Sequence, residues 1–112
     1  MRTSGGAGGD GVGPVLHATP FAWSVVSVIE QENSPVVVHD EGAYVRVLVP
    51  RVCRLSRAGL EASTGLPLRF PGDLEVVLSS FTGVMRLTED GAVWRLPHGK
   101  PADEAAPAAG VR

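Results

Sequence analysis

With 112 residues, 44% of them hydrophobic and 20% charged, the chain has the size and make-up of one globular domain. Ten basic against twelve acidic residues give a net charge of −2, which excludes the concentrated positive field on which nucleic-acid binding depends. A lone cysteine, Cys53, excludes an internal disulfide and a cysteine-built metal site and reads as a small apolar filler, and no apolar run approaches a membrane span.

Residues 1–11 are glycine-rich and polar, too poor in apolar side chains to order themselves and without the apolar stretch of a signal peptide. A disordered tail on a soluble, cytoplasmic protein is the expectation. Residues 12–18 suit a first strand. Thr19 and Pro20 then open a helix, Thr19 as N-cap and Pro20 at the first helical position, where its missing N–H costs nothing. Phe21, Val25, Val28 and Ile29 recur at helical spacing, and the helix is expected to end near Asn33 because Ser34 precedes a proline. Residues 36–39 and 43–49 flank Asp40-Glu41-Gly42, a hairpin signal. Along the second of these strands Ala43, Val45, Val47 and Val49 point to the core, while Tyr44, Arg46 and Leu48 point to a mixed surface.

Leu55-Ser56 opens a second, short helix reaching Thr64, with Ser56 as N-cap, Leu55 stapled to Leu60, Gly65 as C-cap and Pro67 blocking continuation. Gly59 inside that helix costs about 1 kcal/mol against alanine. Leu74, Val76 and Leu78 alternate as in a strand, then Met85 and Leu87, then Trp94 and Leu96, with Asp90-Gly91 turning between the last two. The predicted order is β-α-β-β-α-β-β-β: an α+β single domain over residues 12–96, two short helices packed on antiparallel sheet. Residues 97–112, rich in proline and alanine, read as a second disordered tail.

No constellation for chemistry emerges. His17, His39 and His98 are far apart and lack metal-ligand spacing. Ser79-Ser80 lacks the glycine pattern of a nucleophile elbow, and the carboxylates of Asp40, Glu41, Glu89 and Asp90 sit in turns, where they bind backbone or water. The N-terminal glycines follow no strand, so they form no dinucleotide fingerprint. Arg46, Arg51, Arg54 and Arg57 cluster modestly, as solvated surface charge does. What remains are Phe81, Trp23, Tyr44 and Arg46. Each fits either internal packing or an anchor at a protein interface, where aromatics and arginine dominate binding energy.

The succession Val12-Gly13-Pro14-Val15, Glu32-Asn33-Ser34-Pro35, Gly42-Ala43-Tyr44-Val45-Arg46-Val47, Leu60-Glu61 with Gly65-Leu66-Pro67, Pro71-Gly72-Asp73-Leu74-Glu75, Ser80-Phe81-Thr82-Gly83 and Glu89-Asp90 resembles a known family. In order and spacing it is similar to the coupling (effector, or regulatory) proteins of soluble diiron multicomponent monooxygenases, the MmoB/DmpM family. The likeness is nearer to the toluene, phenol and alkene monooxygenase type than to the methane enzyme's longer protein. The resemblance implies a cofactor-free, non-catalytic protein that binds a hydroxylase component and tunes substrate and oxygen access, turnover and the coupling of NADH use to product. The diiron centre would reside in that hydroxylase, and electrons would come from a reductase, in some systems through a Rieske ferredoxin. The expected contact residues are Asn33, Tyr44, Arg46, Ser80, Phe81, Thr82 and Gly83; Gly42 and Gly83 also have a structural reading. The free protein is expected to be a monomer, without nucleic-acid or membrane partners. Departures from the pattern are Ser34 between Asn33 and Pro35, the apolar run 36–39, and the two tails.

Two other classes remain open to the sequence. A ligand-sensing regulatory domain with a similar mixed sheet would bind a small molecule between helix and sheet. A small stand-alone enzyme would need a constellation that the chain lacks.

Overall fold

Strand β1 (Gly11–His17) is followed by helix α1 (Pro20–Glu32), and both begin where local chemistry directs. The Thr19 side chain accepts a hydrogen bond from the Ala22 N–H at 3.1 Å, and Pro20 stands at the first helical position. The computed structural model describes residues 11–97. The expected tails lie outside the described residues except for Gly11, which opens β1, and Pro97; His98 lies outside as well. The remaining elements are β2 (Val37–Asp40), β3 (Tyr44–Pro50), β4 (Val52–Ser56), α2 (Arg57–Thr64), α3 (Gly72–Val77), β5 (Leu78–Thr82), β6 (Val84–Thr88) and β7 (Gly91–Arg95).

The strands form two antiparallel sheets, a four-stranded one in the order β2-β3-β1-β5 and a three-stranded one in the order β4-β7-β6. The α+β class is as expected, but two elements differ from the sequence reading. The segment between residues 50 and 56 forms strand β4 rather than a connection. The chain turns from the first sheet into the second at Arg51, whose φ of 65° places a non-glycine residue in the left-handed region. The alternation Leu74, Val76, Leu78 does not mark one strand. Leu74 and Val77 are buried three residues apart while Val76 is 77% exposed, so the period is helical and the strand starts only at Leu78.

One core lies between the sheets and the helices. Val12, Leu16, Val45, Val47 and Val49 enter it from the first sheet, Cys53, Leu55, Ala92 and Trp94 from the second. Ala22, Val25, Val26, Val28 and Ile29 enter from α1, Leu60 from α2 and Leu74 and Val77 from α3. Trp94 is fully buried and paired with Cys53 on one side and Met85 on the other. A large rigid side chain on the central strand of a small sheet gives that sheet much of its buried apolar area. Burial pushes the Cys53 thiol up to about 12, which keeps it protonated and inert.

Helix α2 is capped as its sequence predicts, Ser56 Oγ accepting from the Gly59 N–H at 2.9 Å and Gly65 closing the helix at φ 75°. Unforeseen is what anchors this cap to α1. The Glu32 carboxylate accepts the Ser56 N–H at 2.8 Å and the Ser56 hydroxyl. Next to it the Asn33 side chain accepts the Arg54 N–H at 2.9 Å and donates to the Arg54 carbonyl at 2.8 Å and the Ile29 carbonyl at 2.9 Å. The end of α1 is thereby clipped to β4 and to the start of α2.

Candidate interaction face

The first sheet buries one face and exposes the other. Cross-strand partners share a face, so register decides which side chains stand together. Tyr44 pairs with His17, and Arg46 pairs with Val15 on one side and His39 on the other; Val15 in turn pairs with Ser80, and Gly13 with Thr82. Four expected contact residues therefore stand on one outer face, Tyr44 and Arg46 from β3 and Ser80 and Thr82 from β5, with β1 between them.

The chemistry of this face is mixed. Tyr44 is 40% exposed and packs against His17 with ring centroids 5.2 Å apart and the rings tilted by 40°. Arg46 Nε lies 3.7 Å from Glu41 Oε2, an ion pair half open to solvent and correspondingly weak. Glu41 is placed by the hairpin itself, where the Gly42 N–H donates to Asp40 Oδ1 at 3.0 Å and the Glu41 N–H to the Tyr44 carbonyl at 2.8 Å. Val37, 47% exposed, and Leu48 add apolar area in the adjoining row. A sheet face with an aromatic, an arginine and exposed valine can dock a protein.

The other three expected residues fall elsewhere. Phe81 pairs with Pro14, which is fully buried, so Phe81 points to the opposite face from Tyr44 and Arg46. It sits on the edge strand β5 and stays 42% exposed. Asn33 has its amide occupied by Arg54 and Ile29. Gly83 stands at φ 102° where the chain crosses from β5 to β6, and a Cβ there would come within 2.8 Å of Val12 Cγ1 and 2.5 Å of the Arg95 carbonyl oxygen. Its structural reading therefore carries the position. Trp23, off the buried stripe of α1, is 39% exposed.

Nothing on this face forms a reactive constellation. Among the described residues no group of three or more His, Cys, Asp or Glu side chains is placed to hold a metal ion, and no helix is long and apolar enough to cross a membrane. Open grooves among the described residues include one of about 570 Å³ over the outer side of β4-β7-β6 and one lined by Phe21, Leu68, Val76 and Val77.

The described residues form a two-sheet α+β domain with one open, mixed sheet face. Residues 10–95 match the MmoB/DmpM family, and the chain belongs to that family. As a member it is a regulatory, non-catalytic component of a monooxygenase system. It is 34% identical over 85 residues to the effector subunit of the alkene monooxygenase system of Xanthobacter autotrophicus (strain ATCC BAA-1158 / Py2), over 74% of this chain and 83% of that one. In fold it is similar to a chain from a solved structure of a phenol hydroxylase–regulatory protein complex, with a TM-score of 0.68 and 12% identity, covering 76% of this chain and 95% of that chain.

Proposed function

We propose that this protein binds the hydroxylase component of a multicomponent hydrocarbon monooxygenase and raises the product formed per NADH consumed. Membership of the MmoB/DmpM family carries this reading, and the likeness to the alkene monooxygenase effector subunit supports an alkene substrate for the system. The diiron centre and the substrate pocket belong to the hydroxylase, with electrons supplied by a reductase, directly or through a ferredoxin. The free effector is a cytoplasmic monomer.

The outer face of Tyr44, Arg46, Ser80 and Thr82 is the proposed contact surface, and Phe81, exposed on the opposite side of the edge strand β5, would reach a second part of the partner. A protein acts on a partner's conformational equilibrium only through differential affinity for its states. A tenfold shift asks about 1.4 kcal/mol, within reach of one or two interface side chains. An interface of about 800 Å² per partner is the ordinary size and fits a domain of this kind.

Calorimetric titration of the full chain into the cognate hydroxylase tests the reading. Saturable binding, weakened about tenfold by Tyr44→Ala with Arg46→Ala, is expected. Absence of binding by well-folded protein contradicts it.

A further inference from the structure

The second sheet has an outer face of its own. Register places three rows on it: Val52–Arg95–Val84, Arg54–Val93–Arg86 and Ser56–Gly91–Thr88. Arg54, Arg86 and Arg95 are all exposed, Arg95 diagonal to the other two. None has a carboxylate within ion-pair distance among the described residues, where Arg46–Glu41 is the one ion pair. Glu32 and Asp90 border the groove over this face only beside the Ser56–Gly91–Thr88 row, and the Glu32 carboxylate is taken by Ser56.

In a chain of net charge −2, this is a local concentration of positive charge. Arg54 and Arg86 stand two strands apart, about 10 Å, so the three exposed guanidinium groups add to one positive patch whose field is felt at low salt and is largely screened at physiological salt. Between them lie Val93, Val52 and Val84, the last 53% exposed. Guanidinium groups interleaved with one exposed and two half-buried valines on an open surface match a protein interface, where arginine is enriched and pairs carboxylates in bidentate fashion. An enclosed phosphate site would instead converge on one point, and three cations on an acidic protein are too few for a nucleic-acid track.

We propose that the outer face of β4-β7-β6 is a second docking surface for the hydroxylase, meeting a patch of that protein that carries clustered carboxylates. The assignment rests on the effector reading above and adds to it a surface on a different sheet. Its charges act by steering the encounter and fixing orientation.

The test is the affinity of the full chain for hydroxylase at low and at raised salt, for the wild type, for Arg86→Gln with Arg95→Gln, and for Arg86→Lys with Arg95→Lys. The glutamine pair is expected to bind at least tenfold more weakly at low salt and to lose most of the salt dependence. Its Tm should stay close to that of the wild type, because both side chains are exposed and neither makes an ion pair among the described residues. The lysine pair should keep the salt dependence. A glutamine pair with wild-type affinity and salt slope overturns the proposal while leaving the effector reading intact. No binding by the wild type overturns the effector reading and this surface with it. A saturable response to inorganic phosphate alone, lost in the glutamine pair, would make the face a small-anion site and overturn the protein partner.

Discussion

The carboxylate of Glu32, the last residue of α1, holds both the N–H and the hydroxyl of Ser56, the residue that caps α2. At the end of its own helix a negative charge faces the unfavourable pole of the dipole; directed at the start of α2 it faces the favourable one. With Asn33 on Arg54, two consecutive residues fix the relative placement of two helices and a strand.

Removing either residue of this clip should cost stability. Asn33→Ala loses three hydrogen bonds and leaves backbone groups of β4 and α1 to water, about 2 kcal/mol. Glu32→Ala should cost about 1–2 kcal/mol. For a domain of this size each kcal/mol lowers Tm by about 4–8 °C, which a thermal melt reads directly.

Gly59→Ala should destabilise although alanine is the better helix former by about 1 kcal/mol. A Cβ at Gly59 would clash with Glu32 Oε2 and approach Ser56 Oγ to 2.8 Å, so it displaces the carboxylate from the cap. In a Glu32→Ala background much of that clash is gone, and the same substitution should cost less or turn favourable. A double-mutant cycle by thermal melts should give a coupling of about 1 kcal/mol; additive effects would contradict the account.

Cap residues were legible because their signals are local: Thr19-Pro20, Ser56 and Gly65 each carry out the role their residue type favours. Strand β4 was not, because residues 52–55 are short and follow Pro50-Arg51, and only pairing with β7 makes them a strand. Leu74, Val76 and Leu78 suggested period two, and only the exposure of Val76 shows that period three holds up to Val77. The grouping of the site residues is a matter of register. Sequence put Phe81 with Tyr44 and Arg46, yet the pairing of Phe81 with Pro14 turns it to the other face. The Asn33 amide has no local mark at all; its partner lies twenty-one residues away.

The Cys53 thiol should be silent in the folded protein. A thiol-specific disulfide reagent at pH 8 should leave native protein unmodified and react with the unfolded chain. Its pKa stands at about 12 in the fold against the usual 9.0, so native protein keeps a proton that the unfolded chain releases. The stability tied to this proton is full below pH 9 and falls as pH rises from 9 toward 12, which denaturant titrations across that range should show.

Tyr44→Ala and Arg46→Ala should leave the fold within about 0.5–1 kcal/mol of wild type, both side chains being partly open to solvent. Their effect should fall on effector activity. Phe81→Ala should cost somewhat more stability, about 1 kcal/mol, because a large aromatic side chain that is more than half covered is truncated. Melts and activity assays on the three variants separate the two kinds of loss.

Titrating the protein into its cognate hydroxylase and reductase while following product formed per NADH consumed reads the effector role itself. The yield should rise and saturate near one effector per active site, and the Tyr44→Ala, Arg46→Ala variant should fail to produce that rise at the same concentration. A flat titration with well-folded protein would contradict that role.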